Sequence, residues 1–270
     1  MMRALWTAAS GMTTQQTNVD TISNNLSNMN TIGFKKESAQ FKTLLYQTIQ
    51  QTQTDSEGNN KPMGAQVGLG VKTAAIRSIY TQGAYTETGN DYDFAVEGEG
   101  FFVVQLPDGG IGYTRNGSFQ MAIGEEGLTL ATSDGYPVLD MNGQQIVIGE
   151  EYNISDISID SNGYIVYPDE QNNAQSIGVQ IGLVQFSNPA GLLKSSNSIL
   201  LQSNSSGEAV FENEITTNKS KIRQGYLEHS NVDSVEEMVN LIVAQRAYEM
   251  NSKVISASDQ MLQQANNLRG

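Results

Sequence analysis

No cysteine occurs in the 270 residues, which excludes disulfides, iron–sulfur clusters, thiolate zinc sites and thiol nucleophiles together. A single histidine, His229, excludes any site needing two imidazoles and leaves a Ser-His-Asp triad one possible base. Basic residues are scarce: 15 stand against 29 acidic ones, and the formal charge is −14. That balance argues against binding nucleic acid along a broad face, because neutralising phosphates needs clustered Lys and Arg. No run approaches the roughly 18 apolar residues that span a bilayer. Met1-Met2-Arg3 leads into Ala4-Leu5-Trp6-Thr7 and then polar residues from Ser10, without the apolar stretch of a secretory signal. On those signals alone the chain reads as cytoplasmic and soluble.

The charge that is present is unevenly placed. Residues 1–45 sum to +2, residues 218–270 to zero, and residues 46–217 to −16. Two near-neutral ends flanking an acidic middle suggest a discontinuous domain made by the termini, with an insertion between them. At 270 residues the chain can bury about three quarters of its unfolded surface, enough for a sizeable core.

The ends carry helical periodicity. With Leu5 as an a position, the a/d series runs Leu5, Ala8, Met12, Gln15, Val19, Ile22, Leu26, Met29, and all but Gln15 are apolar. The spacing predicts a helix over the first 29 residues, weakened by Asn24, Asn25, Asn28 and Asn30 and stopped at Gly33. Near the C-terminus, Ser234-Val235-Glu236-Glu237 has the form of a capping box, with Ser234 as the cap. No Pro or Gly follows until after Asn266, so a helix of roughly 50 Å is expected. One stripe on it runs Val239, Val243, Met250, Val254, Ala257, Met261, Ala265, Leu268, broken by Arg246; a second holds Val235, Met238, Leu241, Ile242 and Tyr248. A single helix pair covers one stripe of each partner. Either the middle of the chain completes a bundle or neighbouring copies cover the rest; the pattern leaves both open.

The acidic middle reads as β structure. Asp108-Gly109, Asn116-Gly117, Asp134-Gly135, Asn142-Gly143 and Asn162-Gly163 are hairpin signals. Between them lie short β-rich runs such as Phe101-Phe102-Val103-Val104, Gln145-Ile146-Val147-Ile148 and Tyr164-Ile165-Val166-Tyr167. Turns this frequent predict a sandwich or barrel-like domain across about residues 75–215. Residues 50–64 are polar and turn-rich and read as a loop or linker.

No catalytic pattern completes itself. Asp160-Ser161-Asn162-Gly163 begins like an EF-hand loop, but its Gly falls at the fourth position and Gln171 stands where the bidentate Glu belongs. Asp91, Asp93, Glu97 and Glu99 offer four nearby carboxylates, which more often are solvated strand residues than a Ca²⁺ site. Gly98-Glu99-Gly100 lacks the rest of a dinucleotide loop, and Gly68-Leu69-Gly70-Val71 has no Lys-Ser/Thr. Nothing in Glu228-His229-Ser230-Asn231 orients the histidine as a base.

At Ser23-Asn24-Asn25-Leu26-Ser27-Asn28-Met29-Asn30-Thr31-Ile32-Gly33-Phe34-Lys35 the sequence resembles the N-terminal signature of bacterial flagellar basal-body rod and hook proteins. Asp93-Phe94-Ala95-Val96-Glu97-Gly98-Glu99-Gly100-Phe101-Phe102, Tyr113-Thr114-Arg115-Asn116-Gly117-Ser118-Phe119, Phe186-Ser187-Asn188-Pro189-Ala190-Gly191-Leu192 and Gln245-Arg246-Ala247-Tyr248-Glu249-Met250-Asn251 follow in family order. The resemblance covers nearly the whole chain and is strongest to the distal-rod members, which have a segment similar to Tyr46-Gln47-Thr48-Ile49-Gln50. Gln51-Thr52 departs from the Pro-Gly expected next.

The resemblance implies an α+β, discontinuous fold. Its helical inner-tube domain, residues 1–33 plus 230–270, is coiled-coil-like; residues 34–74 form an extended or hairpin linker, and 75–229 an inserted all-β outer domain. It implies a structural subunit of the distal rod, polymerising into a straight hollow shaft that carries torque from motor to hook, with no catalytic residue, cofactor or metal. Interface residues would be Leu5, Ala8, Met12, Val19, Ile22, Asn24, Asn25, Leu26 and Met29 on the first helix. On the second they would be Val239, Val243, Met250, Val254, Ala257, Met261 and Leu268. The buried amides between Ser23 and Asn30 would fix register between protofilaments. Tyr46, Gln47, Thr48 and Ile49 would belong to a segment keeping the tube straight, and Phe41 with Leu45 resembles an export-gate signal, a simple core contact being the competing reading. Implied partners are further copies of the chain, proximal rod proteins, hook-side subunits, the flagellar type III export apparatus and, where an outer membrane exists, L- and P-ring proteins. The implied location is then the basal body, outside the cytoplasmic membrane. A proximal rod or hook subunit, or a secreted acidic β-domain binding a ligand at the end of a helical stalk, are the alternatives.

Overall fold

The computed structural model describes residues 2–50, 64–124, 127–149, 157–168, 174–213 and 218–268. Two compact units result: Met1–Ser27 with Glu37–Ser78 and Asp233–Gly270, and Asn28–Lys36 with Ile79–Val232. The fold is α+β, with a helix at each end and a mostly β middle.

In the first unit, helix α1 (Met2–Ser27) packs on helix α2 (Ser234–Asn267) and on a two-stranded ribbon. The first helix stops at Ser27, short of the expected end, because Asn28, Met29 and Asn30 turn away. Met29, counted in the helical stripe by periodicity, therefore lies past the helix. The cap of α2 also differs from the expected one. Asp233 is the N-cap, its carboxylate accepting from the amides of Val235 and Glu236, and Glu237 is thereby released from capping. Among the described residues no helix is long and apolar enough to cross a membrane.

The ribbon joins β1 (Glu37–Thr43) to β4 (Val71–Ser78), and continues as β2 (Tyr46–Gln50) paired with β3 (Ala65–Gly68). An isolated two-stranded ribbon is barely stable in water, so its support matters. α1 supplies it at two places. Asn25 donates to the Glu37 carbonyl and accepts from the Glu37 amide, both at 2.8 Å, as a neighbouring strand would. Fifteen residues earlier, Ser10 Oγ accepts from the Val71 amide at 3.3 Å. Gly70 makes that approach possible: its φ is +119°, and a Cβ would lie 2.2 Å from Ser10 Oγ. The helix rises about 22 Å over fifteen residues, close to the span of seven extended ones. β2 and β3 run beyond this support and are almost wholly exposed.

The second unit is built on a six-stranded antiparallel sheet. Its order is Leu193–Lys194, Ile199–Leu201, Ile111–Thr114, Phe101–Gln105, Leu183–Gln185, Val210–Phe211. Phe101-Phe102-Val103-Val104 is continuously apolar because both faces of that strand are covered. Phe101 and Val103 join one core cluster with Tyr113, Val184 and Phe186, where Phe186 meets the rings of Phe101 and Tyr113 edge-on. Phe102 and Val104 point the other way, into a larger cluster with Phe94, Phe119, Leu130, Ile165 and Ile181. Four expected turns, at Gly109, Gly135, Gly143 and Gly163, close hairpins with positive φ at each glycine. Asn116-Gly117 instead turns the chain between sheets, Asn116 Oδ1 accepting from the Ser118 amide.

Residues 28–36 are strapped into this unit by a buried ionic cluster. Glu228, 1% exposed, accepts from Lys35 Nζ at 2.5 Å and the Gly83 amide at 2.8 Å on one oxygen, and from Arg115 Nη1 at 3.3 Å on the other. Lys35 also donates to the Thr81 carbonyl and Arg115 Nη2 to the Gly98 carbonyl. Burial pushes the Lys35 ammonium and the Arg115 guanidinium below their ordinary pKa values, and the Glu228 carboxylate opposes both shifts. One carboxylate thus holds two cations out of water. Glu228→Gln is expected to destabilise this unit by about 3–5 kcal/mol, since it leaves two buried charges without a counter-ion. Urea unfolding followed by tyrosine fluorescence reads the loss, and a shift below about 1 kcal/mol would show the cluster to be dispensable.

Candidate assembly surface

Two contacts fix how α1 and α2 meet. A Cβ on Gly11 would lie 2.9 Å from the Asn251 side-chain amide, so the backbones approach closely there. Asn25 donates to Glu237 Oε2 at 2.9 Å. Gly11 to Asn25 and Glu237 to Asn251 are both steps of fourteen residues, so the helices run antiparallel in one register. The three buried residues of α2 are Glu237, Ala244 and Ser258. With Asn251 they fall every seventh residue, and every one is small or polar. On α1 the buried positions are Ala8, Thr14, Thr21, Ile22 and Asn25. The two threonine hydroxyls are satisfied by carbonyls of their own helix.

Both amide hydrogens of Asn25 are used in this arrangement. Its oxygen and nitrogen serve Glu37 and Glu237 within the chain. Glu237 is 1% exposed, lies in the first turn of α2 where the helix dipole favours an anion, and accepts from Asn25.

Large apolar side chains lie on the outside. Val239, Val243, Met250, Val254, Met261 and Leu268 are exposed, Val243 by 62% and Met250 by 60%. Val235, Met238, Ile242 and Tyr248 are exposed beside them, and so is Trp6 on α1. Ala257 is exposed as well. Leu5, Met12, Val19 and Leu26 are half-buried, Ala8, Ile22 and Asn25 are buried, and Asn24 and Met29 are exposed. An ordinary surface helix turns its apolar stripe inward; α2 does the opposite. A shallow groove of about 410 Å³ lined by Gln16, Val19, Gln245, Tyr248 and Glu249 adds relief to the same unit.

On the ribbon, Phe41 is 38% exposed and Leu45 82%, so neither is a core contact. Tyr46, Gln47, Thr48 and Ile49 are all exposed on β2; the rest of that expected segment, residues 51–63, lies outside the described residues. In the second unit Asp93 pairs with Thr88 and Glu97 with Arg223, and among the described residues no three His, Cys, Asp or Glu gather as a metal site. The Asp160 loop is a hairpin turn.

Sequence reasoning missed Gly11, Asn251, Glu237 and Ala244 as the helix seam, and Lys35, Arg115 and Glu228 as a cluster. The seven-residue spacing of Glu237, Ala244, Asn251 and Ser258 was the available signal, hidden because none of the four is a large apolar residue.

Three family profiles match in order along the chain. They are the flagella basal body rod protein profile over residues 5–35, the flagellar hook protein FlgE/F/G D1 domain over 95–167, and the flagellar basal body rod FlgEFG protein C-terminal over 223–268. The flagellar basal-body rod protein FlgG of Borreliella burgdorferi is 48% identical across 100% of this chain and 99% of its own length. The chain belongs to the flagellar basal-body rod protein family. Proteins of the same name from Caulobacter vibrioides and Bacillus subtilis are 45% and 38% identical, again over essentially both full lengths. The family is a structural one.

For this rod-family chain the seam makes a direct prediction. Asn25→Ala removes three hydrogen bonds, two to the Glu37 backbone and one to a Glu237 oxygen. It is expected to cost the helical unit about 2–4 kcal/mol, read by urea unfolding at 222 nm. Asn25→Asp, which sets a second carboxylate beside Glu237, is expected to cost more. Equal stability of all three proteins would remove the amide from this role.

Proposed function

We propose that this chain is a structural subunit of the flagellar distal rod, polymerising through its terminal helices into a straight hollow shaft that carries torque from motor to hook. The observation that carries this reading is the inverted second helix: small and polar residues inside, Val, Met, Ile and Leu outside. About ten half-exposed apolar side chains represent on the order of 10 kcal/mol if covered. That is comparable to the 4–15 kcal/mol of freedom lost when two bodies associate. One neighbour would therefore give a weak dimer, whereas neighbours on several sides give a stable wall.

In this reading residues 1–33 and 230–270 form a coiled-coil-like inner tube, supported by the heptad spacing of the α2 seam. Residues 34–74 bridge neighbouring subunits, and 75–229 form the outer, acidic layer. The near-neutral helices suit a layer where each charge faces its own copies, and the −16 of residues 46–217 suits an outward surface. Asn24, exposed beside Asn25, donates to Glu37 Oε2 at 3.1 Å within the chain. Phe41 and Leu45, both exposed, are available to an export gate before assembly. Partners are proximal rod proteins, hook-side subunits, the type III export apparatus and, in envelopes with an outer membrane, the L- and P-ring proteins. The place of work is the basal body outside the cytoplasmic membrane.

Val243→Asp should abolish polymerisation of the purified chain while leaving its circular dichroism and thermal melt within about 0.5 kcal/mol of the parent, as for other surface changes. Electron microscopy reads the polymer, and normal tubes from this variant would place the interface elsewhere. Deleting residues 46–64 should leave a folded subunit that forms curved or short polymers; straight polymers of ordinary length would remove the straightening role.

A further inference from the structure

The second unit contains a cavity of about 200 Å³ that the helix contacts do not use. Its walls include Phe34, Tyr80, Ile199 and Leu200, and three of the chain's 15 basic residues, Lys35, Arg115 and Lys194. Among the described residues no Asp or Glu lines it, in a chain with 29 of them. Glu228 lies behind the wall, with both oxygens already bonded to Lys35, Gly83 and Arg115.

Arg115 adds an independent observation. It is 5% exposed, its Nη1 and Nη2 are bonded to Glu228 and the Gly98 carbonyl, and its Nε–H has no acceptor. A buried donor of a charged group left without an acceptor is costly, and because Nε is fully enclosed an incoming oxygen can satisfy it only if the side chains around it part. At the mouth, the Lys194 ammonium lies 5.6 Å over the Phe34 ring. The rim is the exposed turn between Leu193–Lys194 and Ile199–Leu201, where Asn197 and Ser198 both hold φ near +60°. Two successive non-glycine residues in the left-handed region form the tight turn that matches strand twist, so the rim is shaped and not slack.

We propose that this cavity is a socket for an Asp or Glu side chain of a second copy of this chain. The inference rests on the polymer reading above and names one of its contacts. Complementary charge selects the occupant: residues 46–217 carry −16, so an adjacent copy presents carboxylates in quantity, and the socket is a cationic recess formed where residues 28–35 lie against part of that acidic segment. The size agrees, since about 200 Å³ exceeds several times the roughly 30 Å³ share of a water and admits a short side chain with its carboxylate. The methylene stem would lie against Phe34 and Leu200 with the Lys194 ammonium beside the carboxylate, and Arg115 Nε–H, closed off in the subunit, would be reached only once the side chains covering it shift.

The test uses the full chain with p-benzoylphenylalanine replacing the exposed Ser195 at the rim. Irradiated polymers are expected to give a dimer-sized adduct whose second peptide contains Asp or Glu at or next to the attachment point, and monomers to give none. Alongside, Lys194→Glu is expected to raise the critical concentration for polymerisation about tenfold, and Lys221→Glu, an equal change at an exposed strand position, less than twofold. Wild-type-like polymers without the adduct, or adducts to peptides lacking a carboxylate, overturn the socket while leaving the polymer reading intact. So does a rise in monomer melting temperature with millimolar acetate, abolished by Lys194→Glu, if polymerisation of that variant is unchanged. That result would make the occupant a free anion. Failure of the parent chain to polymerise at all would overturn the rod reading and the socket with it.

Discussion

The close antiparallel contact of α1 with α2 is the constraint on which the rest of the helical unit depends. Gly11 lets the backbones approach at Asn251, and Asn25 reaches Glu237 fourteen residues away, so register is set by one missing side chain and one buried amide. A seam built from glycine, alanine, serine and paired polar groups takes up little apolar area. The large side chains of α2 are consequently left outside, at a free-energy cost that covering them would recover. An intramolecular seam of high specificity and modest hydrophobic content is thus the same fact as an outer face of high hydrophobic content.

The ribbon follows from the same helix. Asn25 and Ser10 hold its two ends at a separation that a helix and an extended strand both span. β1 and β4 are braced, and β2 and β3 continue unbraced with Leu45, Tyr46 and Ile49 in solvent. Asn25 therefore serves α2 and the ribbon at once, and any shift of α1 along α2 would be felt by the hairpin. In the second unit Glu228 plays a comparable part for residues 28–36, but with charge: two cations and a backbone amide converge on one carboxylate. Its neighbourhood supplies the one cationic recess described in an otherwise acidic region.

Much of the architecture was legible in the residues. Periodicity found both helices, Asp-Gly and Asn-Gly pairs found four hairpins, and Phe101-Phe102-Val103-Val104 announced a strand covered on both faces. That one partner helix could not cover every apolar stripe was also legible, although the pattern left open whether the middle of the chain or further copies would cover the rest. The inward face was not, since periodicity weights large apolar residues and the seam has almost none. Glu237 was misassigned for a local reason: Ser234 and Glu237 have the spacing of a capping box, but Asp233 sits one residue earlier and takes the amides first. Asn28 and Met29 looked helical by spacing alone, although the Asn-rich run competes with its own backbone and ends the helix at Ser27. The Lys35–Glu228–Arg115 cluster joins residues 193 and 113 apart in sequence, a juxtaposition no local pattern encodes.

The central claim is that the outward face of α2 is covered by other copies of the chain. Methionine oxidation measures it directly, because Met238, Met250 and Met261 are 50%, 60% and 50% exposed along that face. Dilute peroxide treatment of subunits and of assembled polymers, followed by peptide mass spectrometry, compares the two states at each sulfur. Protection of all three in the polymer by about tenfold or more, with ready oxidation in the subunit, is the predicted result. Equal oxidation rates in both states would contradict the account.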